Sequence, residues 1–360
     1  MILFHDTDLI ETRPLTRFRS IFSLRNGIYS PIERAKLSYP DSDIYFFHEN
    51  HTFKQLIAQL EGGFPHVENE DSTLTPDRYS QTIHSTHLSP FNTLKNISYQ
   101  IDQDLKLYAD GFPRVHNHGP YHVIGNKNDV YVHQDAEILP GVVLDTRNGP
   151  IVIDSGTTLS PSVYINGSTY IGKQCRIDNA RITGGCIIGH HVRLGGEIEN
   201  SIINDYSNKH HTGFLGHSVV GSWVNLGAST NTSDLKNNYG EIRIQLPDSF
   251  QPIEHQALKS VPTGRIKFGA IIGDFSKTAI GTFLNTGTVI DAGCNIFDHT
   301  GQKYYYPFSW GASNRYIISK FLIDCHRMTK RRNLAPPKEI EDLAHFFSEN
   351  LKSGSPSNHQ

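Results

Sequence analysis

The 360-residue sequence predicts a mainly β protein: a parallel β-helix of hexapeptide repeats, preceded by a small α/β region and followed by C-terminal helices. Three observations predict this fold. A six-residue frame recurs between residues 129 and 296, glycines and β-branched residues are frequent there, and helical periodicity is absent from that stretch. Helical spacing of apolar residues returns on both sides of it, so we expect helices in both flanking regions.

Residues 1–110 have the mixed pattern of a shortened α/β domain. The runs ILFHD and DIYFFHE are short, apolar and aromatic, which predicts strands, whereas IERAKL and FKQLIAQLEG predict helices. A longer helix is predicted over FNTLKNISYQIDQDLKLYAD, where Leu94, Ile97 and Ile101 follow helical spacing. Residues 111–128 include GFPRVHNHGP, whose glycines and prolines predict a linker.

The β-helix is predicted over residues 129–312. Its repeat is an aliphatic residue, then usually glycine, then a small or β-branched residue three positions after the glycine. Each hexad supplies a strand and a turn, and three hexads complete a coil of roughly 18 residues with the aliphatic residue inside. We expect glycine at a tight corner that often needs a positive φ. An antiparallel sheet would show hairpin signals and period-two alternation instead. The frame begins at Ile171, Ile188, Leu194, Val220, Leu226 and Ile272, with Ile290 as a variant.

Two polar or irregular stretches, residues 204–212 and 231–261, are predicted to be loops inserted between coils. Such insertions often carry the binding face of a solenoid. Residues 313–352 are predicted to hold two helices, 314–332 and 338–351, and residues 353–360 a frayed end.

Charge and composition exclude several classes of protein. The chain has 33 basic and 36 acidic residues, a net charge of −3, which argues against a general nucleic-acid binder. No apolar run is long enough for a transmembrane helix, and the acidic residues of MILFHDTDLIETR do not match the pattern of a signal peptide, so we expect neither. The four cysteines form no CxxC pair, so we expect reduced thiols and a cytoplasmic protein.

The coil region resembles a known family. The stretches that carry the resemblance are IENSIINDYSNKHHTGFLGHSVVGSWVNLGASTNTSDLKNNYGEIRI, TGRIKFGAIIGDFSKTAIGTFLNTGTVI and PFSWG. They are similar to the left-handed β-helix of bifunctional sugar-1-phosphate nucleotidyltransferase/acetyltransferases, which join N-acetylglucosamine-1-phosphate uridylyltransferase to glucosamine-1-phosphate acetyltransferase. Most similar are the sugar nucleotidyltransferase proteins that end in a shared β-helix block. The resemblance covers roughly residues 125–312 and implies that the β-helix is left-handed. PLTRFRSIFSLRNGI and LSPFNTLKNISYQIDQDL match the family more weakly.

This resemblance implies an acetyl-CoA-dependent acyltransferase that acts on an amino-sugar phosphate or nucleotide-sugar in cell-envelope sugar-nucleotide synthesis. It also implies a homotrimer with sites between the coils of adjacent subunits. The family's general base corresponds to His211 in HHTGFLG, and an imidazole suits removal of a proton from an amine near neutral pH. Phe214 stands where the family commonly has tyrosine. His210 and His217 are expected to be neighbours rather than catalytic groups.

Four further positions correspond to substrate contacts in the family. Glu199 matches its substrate-side glutamate, and Asn225 matches a substrate asparagine. Ser201 replaces a lysine that neutralises sugar phosphate, and Asp234 replaces an asparagine.

The resemblance also assigns cofactor and nucleotide positions. Ala228 and Ser276 fall where the pantetheine of acetyl-CoA runs against the backbone. No GxGxxR-like nucleotide loop is present, and Arg19, Arg25 and Gly27 are the candidate remnant of one.

Two alternatives to acyl transfer remain open. One is a sugar-1-phosphate nucleotidyltransferase, which would need Mg²⁺ and for which Asp6 is a candidate ligand. The other is a non-catalytic sugar-nucleotide-binding or scaffold protein, which the departures at Ser201, Phe214 and Asp234 favour.

Most of the twenty histidines are predicted to have no shared role. HNHGPYH, with His116, His118 and His122, has a spacing that suits metal ligands, but no carboxylate pattern accompanies it, so no metal site is predicted. The basic run 330–332 is expected to be a solvated helix end.

Overall fold

The computed structural model describes residues 2–6, 10–17, 21–48, 81–108, 119–248, 257–298, 301–336 and 339–352. The left-handed parallel β-helix predicted from the sequence is confirmed. Its short strands stack from coil to coil in parallel and form three faces, which we number 1 to 3.

Face 1 is a sheet of nine parallel strands among the described residues. In most of its strands, three consecutive residues are buried, as in Ile151–Ile153 and Cys186–Ile188. Strands buried on both sides read as continuous apolar runs. The outer side of face 1 is therefore covered. Its strands are Val130–Val132, Ile151–Ile153, Thr169–Ile171, Cys186–Ile188, Ile202–Ile203, Val219–Val220, Ala270–Ile272, Thr288–Ile290 and Tyr304–Tyr305.

Faces 2 and 3 are joined by two long strands, Arg176–Thr183 and Arg193–Glu199, which run across the corner between them. The other strands of face 2 are Glu137–Ile138, Thr158–Leu159, Asn208–Lys209, Asn225–Leu226, Lys277–Thr278, Asn295–Ile296 and Ser309–Trp310. The other strands of face 3 are His122–Ile124, Val143–Asp145, Tyr164–Asn166, Phe214–Gly216, Asn231–Thr232 and Phe283–Leu284.

The glycines of the repeat serve close packing rather than the left-handed conformation that we expected of them. Gly172 does not have a positive φ, but a Cβ there would lie 2.6 Å from the carbonyl oxygen of Gly189 on the next coil. The positive φ falls two residues later in the turn, at Gln174, and likewise at Trp223 after Gly221. Contact between successive coils therefore explains the glycine of the frame.

The N-terminal region covers face 1. Its parallel sheet consists of Ile44–His48, Ile2–Asp6 and Gln81–His84, in that order. Among the described residues, its α-helices are α1 (Pro31–Ser38), α2 (Pro90–Lys95) and α3 (Ile97–Tyr108). Their apolar side chains form one buried cluster with outward residues of face 1, including Val152, Tyr170, Ile187 and Ile202.

Most predicted elements of this region are present. Both strands and the IERAKL helix are confirmed, while the long helix is divided at Asn96 into α2 and α3. The helix predicted over FKQLIAQLEG lies outside the described residues, as does most of the predicted linker. The proposed boundaries at residues 110 and 128 therefore stay predictions.

The prediction of a loop over residues 204–212 is wrong. Asn208–Lys209 is a strand of face 2, paired with Arg193–Glu199 and Asn225–Leu226. The prediction over residues 231–261 is partly wrong, because Asn231–Thr232 is still a strand of face 3. The true insertion contains an antiparallel pair, Arg243–Pro247 and Leu258–Pro262.

Two helices follow the last coil, α4 (Ile318–Lys330) and α5 (Glu339–Lys352). The first begins later than predicted, because Asn314–Arg315 pairs with Ser309–Trp310 as an antiparallel strand. Both helices pack on aromatic residues at a corner of the solenoid, among them Trp223, Phe275 and Phe308. No helix among the described residues is long and apolar enough to span a membrane.

A buried ion pair ties the N-terminal region to the solenoid. Arg17 Nη2 lies 2.9 Å from Asp291 Oδ2, and their side chains are 1% and 0% exposed. Tyr304 donates its hydroxyl to the same carboxylate at 2.7 Å.

Replacing Asp291 with alanine is expected to lower the free energy of unfolding by about 3–5 kcal/mol, because the buried Arg17 guanidinium loses its counter-charge. Urea unfolding followed by circular dichroism measures this loss. Asp248→Ala is the control, since Asp248 and Lys259 form an ion pair whose side chains are 69% and 60% exposed; its expected effect is below about 1 kcal/mol. Equal effects of the two variants would contradict a structural role for the buried pair.

Candidate functional site

A groove runs along face 3, where one outward side chain per coil lies in register with the next. The residues in this column are Tyr164, Arg181, Glu197 and Phe214. Arg181 Nε lies 3.9 Å from Glu197 Oε1, and the Arg181 guanidinium carbon lies 5.4 Å from the centre of the Tyr164 ring. Asn231 closes the column and accepts a hydrogen bond from the Phe214 amide at 2.8 Å. The groove thus offers a cation, a carboxylate and two aromatic faces.

One end of the groove is held by Asp145. The Tyr164 hydroxyl donates to Asp145 Oδ2 at 2.7 Å, and Arg147 Nη2 lies 2.6 Å from the same oxygen. Hydrogen bonds from Arg147, followed by that from Tyr164, hold the pKa of Asp145 well below its usual range. These contacts fix the Tyr164 ring against which Arg181 stacks.

His211 lies in the turn between the face 2 strand Asn208–Lys209 and the face 3 strand Phe214–Gly216. Its side chain is exposed, and the two residues that follow it, Thr212 and Gly213, line the groove. Within the described residues, its imidazole makes no hydrogen bond, and its ring centre lies 5.4 Å from that of His210. His211 is therefore open to a ligand.

His210 has a structural partner. Its Nε2 lies 2.6 Å from Asp178 Oδ2. Burial alone would raise the pKa of Asp178, but hydrogen bonds from Ser160, His210 and Arg176 outweigh it and lower that pKa to about 2. An ionised Asp178 anchors His210. The expectation that His210 is a neighbour of the base rather than a catalytic group stays a prediction.

Glu199 and Asp234 lie together in a charged cluster beyond the groove, with His217 and Lys267. Asp234 Oδ2 is 2.6 Å from His217 Nδ1, and Glu199 Oε1 is 3.0 Å from Lys267 Nζ. His217 Nε2 is also 3.9 Å from Glu199 Oε1. Burial tends to raise the pKa of Asp234, but the hydrogen bond and charge of His217 lower it below its usual value. His217 therefore links two of the predicted substrate residues, which the sequence did not indicate.

Two predicted contact residues are not accessible to a ligand. Ser201 is 0% exposed, and its hydroxyl donates to the carbonyl of Glu199 at 2.8 Å. Ser276 is also fully buried and donates to the carbonyl of Asp291 at 2.7 Å. The predicted role of Ser201 in substrate contact therefore needs correction, because its hydroxyl satisfies a backbone group inside the coil. Ser276 was expected only where pantetheine runs against the backbone, and that role stays a prediction.

Asn225 and Ala228 are placed differently. Asn225 is exposed, but it lies on face 2, one coil after Asn208, and not in the column of face 3. Ala228 is half-buried in the next turn, where its carbonyl accepts a hydrogen bond from the Gly281 amide at 2.7 Å. A role for either in ligand binding stays a prediction.

The candidate nucleotide residues occupy structural positions where they are described. Arg25 is buried and pairs with Asp205 at 3.2 Å and with Glu33 at 3.1 Å. A Cβ on Gly27 would lie 2.2 Å from Asp104 Oδ2, so close packing accounts for this glycine. Arg19, the Asp6 side chain, His116 and His118 lie outside the residues described, and His122 is exposed. Among described residues, no group of three or more side chains could hold a metal ion.

Sequence reasoning missed Arg181, Glu197 and Tyr164. The signal that could have found them is the coil length. Glu197 and Phe214 are paired on adjacent strands, 17 residues apart, and the pairing continues back to Arg181 and Tyr164. Glu199 lies on the same strand, two residues beyond Glu197, and belongs to a different column.

Curated proteins of related sequence include GlmU of Azoarcus sp. (strain BH72), 33% identical over 135 residues, which are 37% of this chain and 28% of the relative. GlmU of Carboxydothermus hydrogenoformans is 30% identical over 191 residues, 42% of this chain and 38% of the relative. The bifunctional sugar-1-phosphate nucleotidylyltransferase/acetyltransferase of Sulfurisphaera tokodaii is 29% identical over 101 residues, 28% of this chain and 23% of the relative. The resemblance to this family is confirmed. The chain matches less than two fifths of the length of each of these GlmU-like relatives. No protein-family model matches the chain.

Solved structures with some likeness include PerB from Caulobacter crescentus in complex with CoA and GDP-perosamine. It is 12% identical, with 65% of this chain and 89% of that chain covered and a TM-score of 0.22. A single-residue mutant of AntD, an N-acyltransferase from Bacillus cereus in complex with dTDP and coenzyme A, is 14% identical. The match covers 68% of this chain and 96% of that chain, with a TM-score of 0.17. At these TM-scores neither backbone superposes closely on this one.

Proposed function

We propose that the chain is an acyltransferase that moves an acetyl group from acetyl-CoA to the amine of an amino-sugar phosphate or nucleotide-sugar. The observation that carries this proposal is the open imidazole of His211 in the turn that leads into a groove containing Arg181 and Glu197. The sequence likeness to bifunctional GlmU proteins supports it.

The acceptor binds in the groove of face 3. The Arg181 guanidinium suits a phosphate oxygen, because its donors match two oxygens at once. Glu197 accepts hydrogen bonds from sugar hydroxyls or from the amine, and the Phe214 ring packs against the apolar face of the sugar ring. The acceptor amine is then directed towards the turn that holds His211.

His211 acts as general base. The amine nitrogen attacks the thioester carbonyl carbon, and His211 accepts the proton that this nitrogen loses as the carbon–nitrogen bond forms. The carbon–sulfur bond then breaks, and the proton passes from the imidazole to the departing sulfur. Acetyl-CoA is a co-substrate here, and the exposed turn at His211, beside the next turn with its half-buried Ala228, leaves this corner of the solenoid accessible to it.

The test of this proposal is a thiol-release assay with acetyl-CoA and a panel of amino-sugar phosphates and nucleotide-linked amino sugars. We expect release of free CoA with at least one acceptor and none without acceptor. Absence of release with the whole panel would overturn the proposal. Pyrophosphate release from UTP, dTTP or CTP is measured in parallel, and we expect none, because Arg25 and Gly27 are engaged in structural contacts.

We further propose that the active assembly is a homotrimer, as the resemblance implies. Analytical ultracentrifugation is expected to give three times the chain mass of 40.5 kDa.

A further inference from the structure

One lysine interrupts the aliphatic interior of the solenoid. Lys209 pairs with Leu194 of the preceding coil, at a position where the repeat places an inward aliphatic residue. It is only 3% exposed. A buried ammonium is costly unless hydrogen bonds or a counter-charge compensate it, so its presence in an apolar column needs an explanation.

The Lys209 ammonium is bound by backbone carbonyls. Its Nζ donates to the carbonyl oxygen of Gly195 at 3.2 Å and to that of His211 at 2.7 Å. In the part of the chain that the structure describes, no carboxylate forms an ion pair with it. Burial lowers the pKa of Lys209 to about 8, as expected for an amine in an apolar interior without a counter-ion.

These contacts join the core to the turn that carries the open imidazole. The two carbonyls belong to adjacent coils, so one ammonium fixes the His211 turn against the coil before it. A leucine would fill the same space, but it could not donate to either carbonyl. The contact through the backbone of His211 leaves its imidazole free for a ligand.

We propose that Lys209 is a positioning residue for His211: its ammonium holds the His211 carbonyl from inside the coil and so sets the direction of the imidazole at the groove. The inference rests on the proposed role of His211 as general base. Exact placement of a base matters, because a displacement of about 1 Å can cost about 100-fold in rate.

The test is Lys209→Met, which keeps the length of the side chain and removes its charge. We expect the urea midpoint to stay equal or to rise, because an apolar side chain suits the column. We expect kcat for CoA release to fall about 10- to 100-fold, with the acceptor KM nearly unchanged. Lys277→Met is the matched control. Lys277 lies on another coil of face 2, its Nζ is buried and has no hydrogen-bond partner among the described residues, and we expect no change in kcat.

A double-mutant cycle separates positioning from a general effect. In a His211→Ala background, Lys209→Met is expected to produce no further loss of kcat. An unchanged kcat in Lys209→Met alone, or an equal further loss without His211, would overturn the inference. If His211→Ala has wild-type activity, the proposed function fails by itself.

Hydrogen exchange tests the Lys209 contact without any measurement of turnover, so it can be used even if the chain shows no acyl transfer. Thr212 belongs to the same turn as His211, and its carbonyl accepts a hydrogen bond from the Ser229 amide of the next coil at 2.9 Å. Hydrogen exchange at this amide is expected to be about tenfold faster in Lys209→Met, whereas the Asn204 amide, bonded to Val220 in face 1, keeps its rate. Unchanged exchange at Ser229 would contradict the contact that the inference requires.

Discussion

Replacing His211 with alanine is expected to lower kcat for CoA release by about 100- to 10,000-fold. The imidazole has no hydrogen-bond partner among the described residues and is exposed, so its removal leaves no buried group unsatisfied. The loss should therefore appear in the rate and not in stability. Thiol release measured under saturating acetyl-CoA and acceptor gives the value.

The matched control is His326→Ala, an exposed histidine on α4 whose loss is expected to leave kcat unchanged. Urea unfolding of both variants should match the wild-type chain. Wild-type kcat in His211→Ala would remove His211 from the mechanism, and a similar loss in His326→Ala would show that the effect is not specific to the groove.

Replacing Arg181 with alanine is expected to raise the acceptor KM by about 10- to 100-fold, since one charge-assisted hydrogen bond to an anionic acceptor contributes about 1.5–3 kcal/mol. Arg181 is 60% exposed and its contact with Glu197 is long, at 3.9 Å, so its removal should cost little stability. The KM for acetyl-CoA is expected to stay the same. Steady-state kinetics with each substrate varied in turn separates the two constants.

Arg176→Ala is the control for Arg181. Arg176 is an exposed arginine of the same long strand, but it points from face 2 and is paired with Asp178 at 2.7 Å. We expect it to leave the acceptor KM unchanged. A larger effect at Arg176 than at Arg181 would place the acceptor on face 2 and contradict the groove of face 3.

The repeat predicted the solenoid because glycine and aliphatic residues recur where coils touch. One coil was not predicted, because polar residues stand at its repeat positions. In NDYSNKHHT, Asn204 takes the place of glycine, Ser207 that of the small residue and Lys209 that of the aliphatic residue. The frame persists there, with hydrogen bonds replacing apolar contacts: Asn204 donates to Val220, and Ser207 to Gly221. A search for hydrophobic residues alone cannot detect such a coil.

The candidate site was predicted only in part, because the register between coils decides which outward side chains share a column. His211 and Phe214 were placed by resemblance. Phe214 lines the groove, and His211 directly precedes two residues that line it. Glu199 was chosen over Glu197, although strand pairing puts Glu197 opposite Phe214. Ser201 was expected at the surface, but it is enclosed by the next coil. The sequence shows this register only where the frame is unbroken.

The sequence of the face 1 strands contains a pattern that predicts a covering layer. In the strands IVI, CII and AII, all three residues are apolar, including the middle one, which points away from the solenoid interior. A polar residue would stand there if the face were exposed, so this pattern indicates that a second layer covers it. The identity of that layer depended on tertiary packing of the N-terminal helices and could not follow from periodicity.

A structure of the chain with CoA and an amino-sugar phosphate tests the central claim most directly. We predict that the acceptor lies between Arg181 and Phe214 and that its amine nitrogen lies within about 3.5 Å of the His211 imidazole, with the CoA sulfur beside it. A complex in which the acceptor occupies another face, or in which the CoA sulfur and His211 lie on different sides of the solenoid, would contradict the proposal.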